Sequence, residues 1–480
     1  MMPAPALRAC PAPPALARAG VRVARARVKR STSADVQLNA VGSQYDEADS
    51  RSPGRLVVRT IRVADPGDLI GRLPGPEALA WVRRGDGLVG WGTAAKITLP
   101  AGHDRFAAGE KWLRELFDGA LVTDEVDVPG SGPVAFGSFT FDPTCDGSVL
   151  VIPRAVLGRA GGTSWLTTID AEPESGSAPA SLAGAGKGCV LPPAIIPDPV
   201  PLAPPSGFRW SDGRLTAPAW EEAVATAVRA IRANQVRKVV LAMELNATAA
   251  QDIDARVLLS RLAERYPDCY TFSCAGMVGA TPELYIRRTG RQIYSLVLAG
   301  TVPTGGTRDQ DAALGDALLA SEKDQDEHQF VVADVRAALR PLCADLTIDE
   351  HPFLLRLANV QHLATEVRGE LAAGEAAKHS ALSLAAAVHP TAAVCGTPTE
   401  TAMELIRELE GMDRARYSGP VGWVDRKGNG EWGIALRCGE ISGRHARLIA
   451  GCGIVAGSVP AVELAEAQAK FWPMRYALEG

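Results

Sequence analysis

The chain has 480 residues, 46% hydrophobic and 22% charged, with a formal net charge of −5. That is the balance of a soluble globular protein, long enough for a large core or two domains. It offers no basic stripe for nucleic acid and no apolar run near the roughly 20 residues that span a bilayer, so neither nucleic acid nor membrane is an expected partner. Nine cysteines lie scattered without CxxC spacing, which reads as reduced core thiols of a cytoplasmic protein and not as a zinc site.

The first 34 residues hold seven Lys or Arg and no acid, amid much Ala and Pro. This composition suits a transit peptide, or a start codon assigned too early in a GC-rich frame, the preferred reading. Residues 1–50 are expected to be a disordered basic tail. From "RLVVRTIRV" to about residue 190, short β-branched and aromatic runs bounded by Gly and Pro predict strands, with one helix over "RFAAGEKWLRELFDGA". The proline-dense "LPPAIIPDPVPLAPPSG" (191–207) excludes regular helix or central strand and marks an internal boundary. It separates a first half, 51–205, from a second, 206–480.

In the second half, "APAWEEAVATAVRAIRANQ" and "DARVLLSRLAERY" predict helices on either side of the strand "KVVLAMELNA". "ELYIRRTGRQIYSLVLAG" predicts a hairpin turning at "TG". Helices are expected over 309–340 and 399–412, then strands including "WGIALRCGEI" and "ARLIAGCGIV", then a terminal helix over 461–478. Elements in blocks, without strict alternation, predict an antiparallel-rich α+β protein.

Two acidic stretches stand out. In "SEKDQDEHQF", Asp324 and Glu327 are three apart and share one helix face. In "VELAEAQAKF", Glu463 and Glu466 repeat the spacing, with Lys470 four further on. Like charges so placed cost a helix a few tenths of a kcal/mol. Two solvated faces explain them. So does a shared cation, and oxygen-only ligands would select a hard one such as Mg²⁺. Lys238 opens an apolar strand, as a snorkelling edge residue or, if buried, as a candidate base of lowered pKa. Glu283 follows a turn, as a turn ligand or, if buried, as a proton donor. Arg437, within an apolar strand, asks for a carboxylate. Gly451 belongs to the glycine-rich "AGCGIVAGS", a strand-to-helix turn or an anion cradle. His362 and His389 pass as core or turn residues, and no Ser/His/Asp or Cys/His order suggests a hydrolase.

Taken in order, "KVVLA", "GATPELYI", "LAGTVP", "SEKDQDEH", "NVQHLATEVRGEL", "HPTAAVCGTP", "YSGPVGW", "IALRCG", "AGCGIVAGS" and "ELAEAQAKF" resemble the chorismate-utilising enzymes, a family of isochorismate, salicylate, anthranilate and aminodeoxychorismate synthases. The resemblance runs from Lys238 to the C-terminus. It implies a single large unit with two antiparallel-rich β-sheets enclosing helices, whose first half is divergent. It also implies that Glu327 and Glu466 ligate Mg²⁺, with Asp324 and Glu463 just behind them. Thr301, Tyr417, Arg437, Gly451 and Lys470 are implied to contact chorismate, with His362 and Thr391 near the ring.

Lys238 matches the base of the water-using members, and Glu283 the acid that protonates the leaving C4 hydroxyl. Alanine in "LAGT" stands where aminodeoxychorismate synthases place a lysine, and "LAMEL" departs from the Ser-Arg common in relatives. The resemblance therefore implies an isochorismate synthase for menaquinone or siderophore formation, working as a monomer without a glutamine amidotransferase subunit. A salicylate synthase is the second reading and an inactive scaffold paralogue the third.

Overall fold

A computed structural model of the chain describes residues 54–171, 195–304, 306–357 and 360–480. The tail expected over 1–50 lies outside the described residues, as do 191–194 of the proline-dense connector. The rest of that connector, through residue 207, carries no helix or strand. The described residues form one compact unit.

Two sheets, of thirteen and ten strands, make up its frame. Nearly all pairings are antiparallel; the exception is Leu56–Val63 beside Leu121–Asp124. The two halves read from sequence do not own separate sheets. Leu79–Arg83 pairs with Tyr270–Cys274 in the larger sheet, and Val134–Ser138 pairs with Pro420–Asp425 in the smaller.

Side-chain alternation along each strand decides what each face meets. Leu79 and Trp81 pack with Phe136, Phe272, Leu284 and Trp423, all strand residues drawn from both sheets. The intervening Ala80 and Val82 join a second core that includes helix residues such as Trp220, Leu258, Val331 and Leu382. The sheets thus pack on one another while the helices cover their other faces. No helix among the described residues is long and apolar enough to cross a membrane.

Three elements differ from the sequence expectation. The helical stretch over 309–340 is two helices, Arg308–Ala320 and Glu322–Leu339. Ser321 breaks it with extended backbone, and its hydroxyl accepts the Asp324 N–H, capping the second helix. The terminal helix is likewise split into Pro460–Ala469 and Trp472–Glu479. "WGIALRCGEI" is not one strand. Gly430–Ile434 lies in the smaller sheet and Cys438–Ser442 in the larger. Between them Arg437 adopts a left-handed φ of 49°, a conformation no strand interior accommodates.

Candidate active site

Two of the chain's several passages between the sheets lie side by side. Met277–Thr281 ends in the larger sheet and Leu284–Thr289 starts in the smaller, with Pro282 and Glu283 between them. The second passage holds Arg437. The Ile434 N–H donates to the Glu283 carbonyl at 3.3 Å, so the acid's backbone and the segment leading to the guanidinium are tied together. Pro282 cannot donate to a ladder, which suits a point where a strand must leave its sheet.

Around these passages lies a cavity lined by Lys238, Glu283, Thr301, Asp324, Glu327, His362, Tyr417, Arg437, Gly451, Glu463, Glu466 and Lys470. Stretches more than two hundred residues apart in sequence meet there. Thr391 is the one expected site residue that does not line it. That side chain is buried behind the wall, where its hydroxyl accepts the Ala393 N–H at 3.3 Å. Ala393 and Val394, just after it, do face the cavity.

Lys238 is no snorkelling edge residue. Its side chain is 1% exposed, and its Nζ lies 2.7 Å from Glu327 Oε1. Nor is it a free amine, because the carboxylate expected to bind a metal holds it as an ion pair. The pair needs Gly453 on the neighbouring strand. A Cβ there would stand 2.7 Å from Glu327 Oε1 and 2.9 Å from Lys238 Cε.

Glu283 is buried, and burial pushes its carboxyl up to about 8 although the charges of Lys238 and Arg437 pull the other way. At neutral pH it holds a proton that it can donate. Arg437 lines the cavity with no hydrogen bond or ion pair to its guanidinium among the described residues. A cation in that position calls for an anionic ligand.

His362 is buried, and burial and the Arg437 and Lys470 charges lower its imidazole to about 3, so it is neutral. Its Nδ1 lies 3.0 Å from Thr301 Oγ1 and 3.3 Å from the Gly300 carbonyl, which favours the Nδ1–H tautomer. Its Nε2 is then an acceptor with no partner among the described residues.

Both acidic pairs sit where helices begin. Asp324 is in the first turn of Glu322–Leu339 and Glu463 in the first turn of Pro460–Ala469. There the helix dipole favours negative charge, an offset to the like-charge cost within each pair. Lysines supply the rest. Lys470 Nζ is 2.7 Å from Glu466 Oε1 and donates to the Gly451 carbonyl at 2.9 Å, and Lys323 Nζ lies 3.9 Å from Glu463 Oε1. Lys323 was not read from sequence as part of the site. Its signal was its being the one lysine in an acidic run. The apolar walls Val240, Leu298 and Leu436 gave no signal at all, being ordinary strand-type residues.

As a set, the four carboxylates suit a hard divalent cation in kind and in place: all are oxygen donors, and all face one cavity. Burial, and secondarily the Glu466 charge, raise the Glu463 carboxyl, a repulsion that a cation would relieve. They are not drawn together, however. Among the described residues no three His, Cys, Asp or Glu side chains cluster closely enough to hold a metal.

Residues 77–479 match the sequence profile of the family described as chorismate binding enzyme. The chain belongs to that family. It is 41% identical over 252 residues to the isochorismate synthase DhbC of Bacillus subtilis (strain 168), covering 50% of this chain and 63% of that protein. It thus matches less than two thirds of DhbC's length. It is 35% identical over 394 residues to the isochorismate synthase MenF of the same organism, covering 77% of this chain and 80% of MenF. Among solved structures, that of MenF, the menaquinone-specific isochorismate synthase from Escherichia coli, superposes with a TM-score of 0.70 at 24% identity, covering 89% of this chain and 95% of that one. That last likeness is one of fold.

Proposed function

We propose that the chain is an isochorismate synthase, which adds water to C2 of chorismate and expels the C4 hydroxyl. One observation carries the reading. A buried amine and a buried, protonated carboxyl, each held by a different sheet or sheet passage, line one cavity with a guanidinium that has no hydrogen bond or ion pair among the described residues. Chorismate is a dianion whose ring must be held between a base and an acid, and this cavity offers both together with a cation for a carboxylate. The names of similar proteins support the same substrate class.

In this reading Arg437 takes a substrate carboxylate and the apolar walls hold the ring. Lys238, once its own ammonium proton has passed to Glu327 or to solvent and the ion pair is broken, accepts a proton from the water that attacks C2. Glu283 gives its proton to the C4 oxygen, which leaves as water while the ring double bonds shift. One water is consumed and one released, so the reaction is an isomerisation. Neutral His362 offers its free Nε2 as an acceptor for a substrate hydroxyl. Glu327, Glu466, Asp324 and Glu463 would hold Mg²⁺, which when bound neutralises the ring carboxylate. The enzyme is proposed to act in the cytoplasm as a monomer, with water as nucleophile and no amidotransferase subunit. Its product would feed menaquinone or siderophore formation.

Purified protein incubated with chorismate and Mg²⁺, with products resolved by chromatography, tests this. Isochorismate alone is expected. Salicylate with pyruvate would make the chain a salicylate synthase, and absence of any turnover would leave it a scaffold.

A further inference from the structure

The strand Lys238–Thr248, which carries the proposed base, is interrupted along one edge. Lys238 and Val239 pair with the short strand Gly396–Thr397, and Leu245–Thr248 pair with Arg209–Asp212. Between these partners Val240–Glu244 face no strand on that side among the described residues. Backbone groups in a buried sheet must find partners somewhere.

Two charged side chains occupy the gap. Arg414 Nη2 donates to the Val240 carbonyl at 2.8 Å, and Glu410 Oε1 accepts the Ala242 N–H at 2.7 Å. Arg414 Nε donates to Glu410 Oε2 at 2.9 Å, Nη1 donates to the Val394 carbonyl at 2.9 Å, and the guanidinium lies 4.4 Å from the centre of the Phe141 ring. The Val240 N–H completes the arrangement by donating to the Cys395 carbonyl at 2.8 Å. Arg414 and Glu410 side chains are only 2% and 1% exposed.

A buried ion pair is a poor source of stability compared with apolar packing, so its value lies in the geometry it fixes. That geometry is the wall of the active site. Val240 and Val394 line the cavity, Lys238 is two residues before Val240, and Tyr417 and Ser418 follow Arg414 by three and four. The Tyr417 N–H donates to the Arg414 carbonyl at 3.0 Å, so the same residue also sets the turn that brings Tyr417 in.

We infer that the Glu410–Arg414 pair positions the base: it stands in for the missing strand segment and holds Lys238 at the working distance from the ring. The claim rests on the proposed function for what Lys238 does, but the clamp itself is independent of it. Arg414→Lys keeps the charge yet cannot reach Glu410, Val240 and Val394 at once. Displacing a base by about 1 Å costs on the order of 100-fold. Arg414→Lys is therefore expected to lower kcat about 10- to 100-fold, with KM within about twofold. In a Lys238→Ala background, assayed at high enzyme concentration for its residual turnover, the same substitution should cost less than about threefold, because no base remains to be misplaced. Equal losses in both backgrounds would reduce the pair to a fold stabiliser and overturn the inference.

Glu410→Gln serves as the second variant should Arg414→Lys fail to fold, with the same pattern expected. Amide hydrogen exchange gives a reading that needs no turnover. The Val240 and Ala242 amides should be protected in the wild type and exchange at least about tenfold faster in either variant, while the far strand Val134–Ser138 is unaffected. Unchanged protection at those two amides would remove the clamp. If the wild type fails to convert chorismate but the amides respond as stated, the fault lies with the proposed function and not with the clamp.

Discussion

The two acidic helices that border the cavity carry the same i, i+3 carboxylate spacing but differ in what they do with it. In Glu322–Leu339 the outward reach of Glu327 ends on Lys238, a lysine from a distant strand. In Pro460–Ala469 the partner is local: Lys470, four residues on, pairs with Glu466 and helps hold its carboxyl below the usual range despite burial. Glu463, one turn earlier, is raised by burial, with Lys323 only at 3.9 Å. Spacing alone makes the two helices look equivalent. The counter-ions make one a link to the proposed base and the other a self-contained pair beside a crowded acid.

That contrast can be broken most severely at Lys238. Lys238→Ala is expected to lower kcat about 1,000-fold, the effect of losing a general base, measured as isochorismate formed under saturating chorismate. It also removes Glu327's counter-ion, so Mg²⁺ affinity measured by calorimetry should rise. A metal affinity that falls would mean the lysine does not compete for that carboxylate.

Next in size is Glu283. Because its carboxyl sits at about 8, activity should fall as pH rises through that value, where the proton needed by the leaving oxygen is lost. Glu283→Gln is expected to lower kcat about 100-fold and to abolish that alkaline limb in a pH–rate profile. A wild-type profile flat from pH 7 to 9 would take the donor role from Glu283. The same raised value predicts that Glu283 costs the fold stability progressively as pH climbs from the ordinary value of 4.5 to about 8, because in that window unfolding releases its proton, and that the loss levels off above about 8, where the folded state has released it too.

Smaller and opposite effects should separate Glu466 from Glu463 in metal-free protein. Glu466→Gln leaves buried Lys470 without its ion pair. It should cost about 1–2 kcal/mol, less than the 3–5 of a fully buried pair because the Glu466 side chain is 35% exposed. Glu463→Gln removes a crowded, raised acid and should leave the melting temperature unchanged or higher. Equal losses in both would erase the distinction. Gly453→Ala sharpens the other helix's half of the comparison. Its methyl would press on the Glu327–Lys238 pair, at a cost of about 1–3 kcal/mol in chemical denaturation.

Much of this site was legible because helical spacing is rigid: three residues apart means one face, whatever else happens. Lys238 and Glu283 were legible as charged residues next to apolar strand runs, where burial changes their chemistry. What escaped were features set by tertiary geometry. Arg437 read as a strand residue because its neighbours are β-type; only the passage between sheets gives it left-handed backbone and a guanidinium with no partner among the described residues. Ser321 read as helix interior because the flanking segments are both helical, and its capping role appears only once the chain bends there. Glu410 and Arg414 drew no reading from the sequence, being two charged residues four apart at and just beyond a helix end. Nothing in their spacing tells that they complete a strand far away in sequence. Thr391 was carried over by resemblance and lies one shell back, because the turn presents Ala393 and Val394 to the cavity in its place.

In the proposed reaction, water adds to the ring of chorismate between Lys238 and Glu283. Turnover in ¹⁸O-labelled water, followed by mass spectrometry of the product, tests it most directly. Isochorismate carrying one labelled oxygen, on its C2 hydroxyl, is the predicted result. Isochorismate with no label, formed by migration of the original hydroxyl, would contradict it.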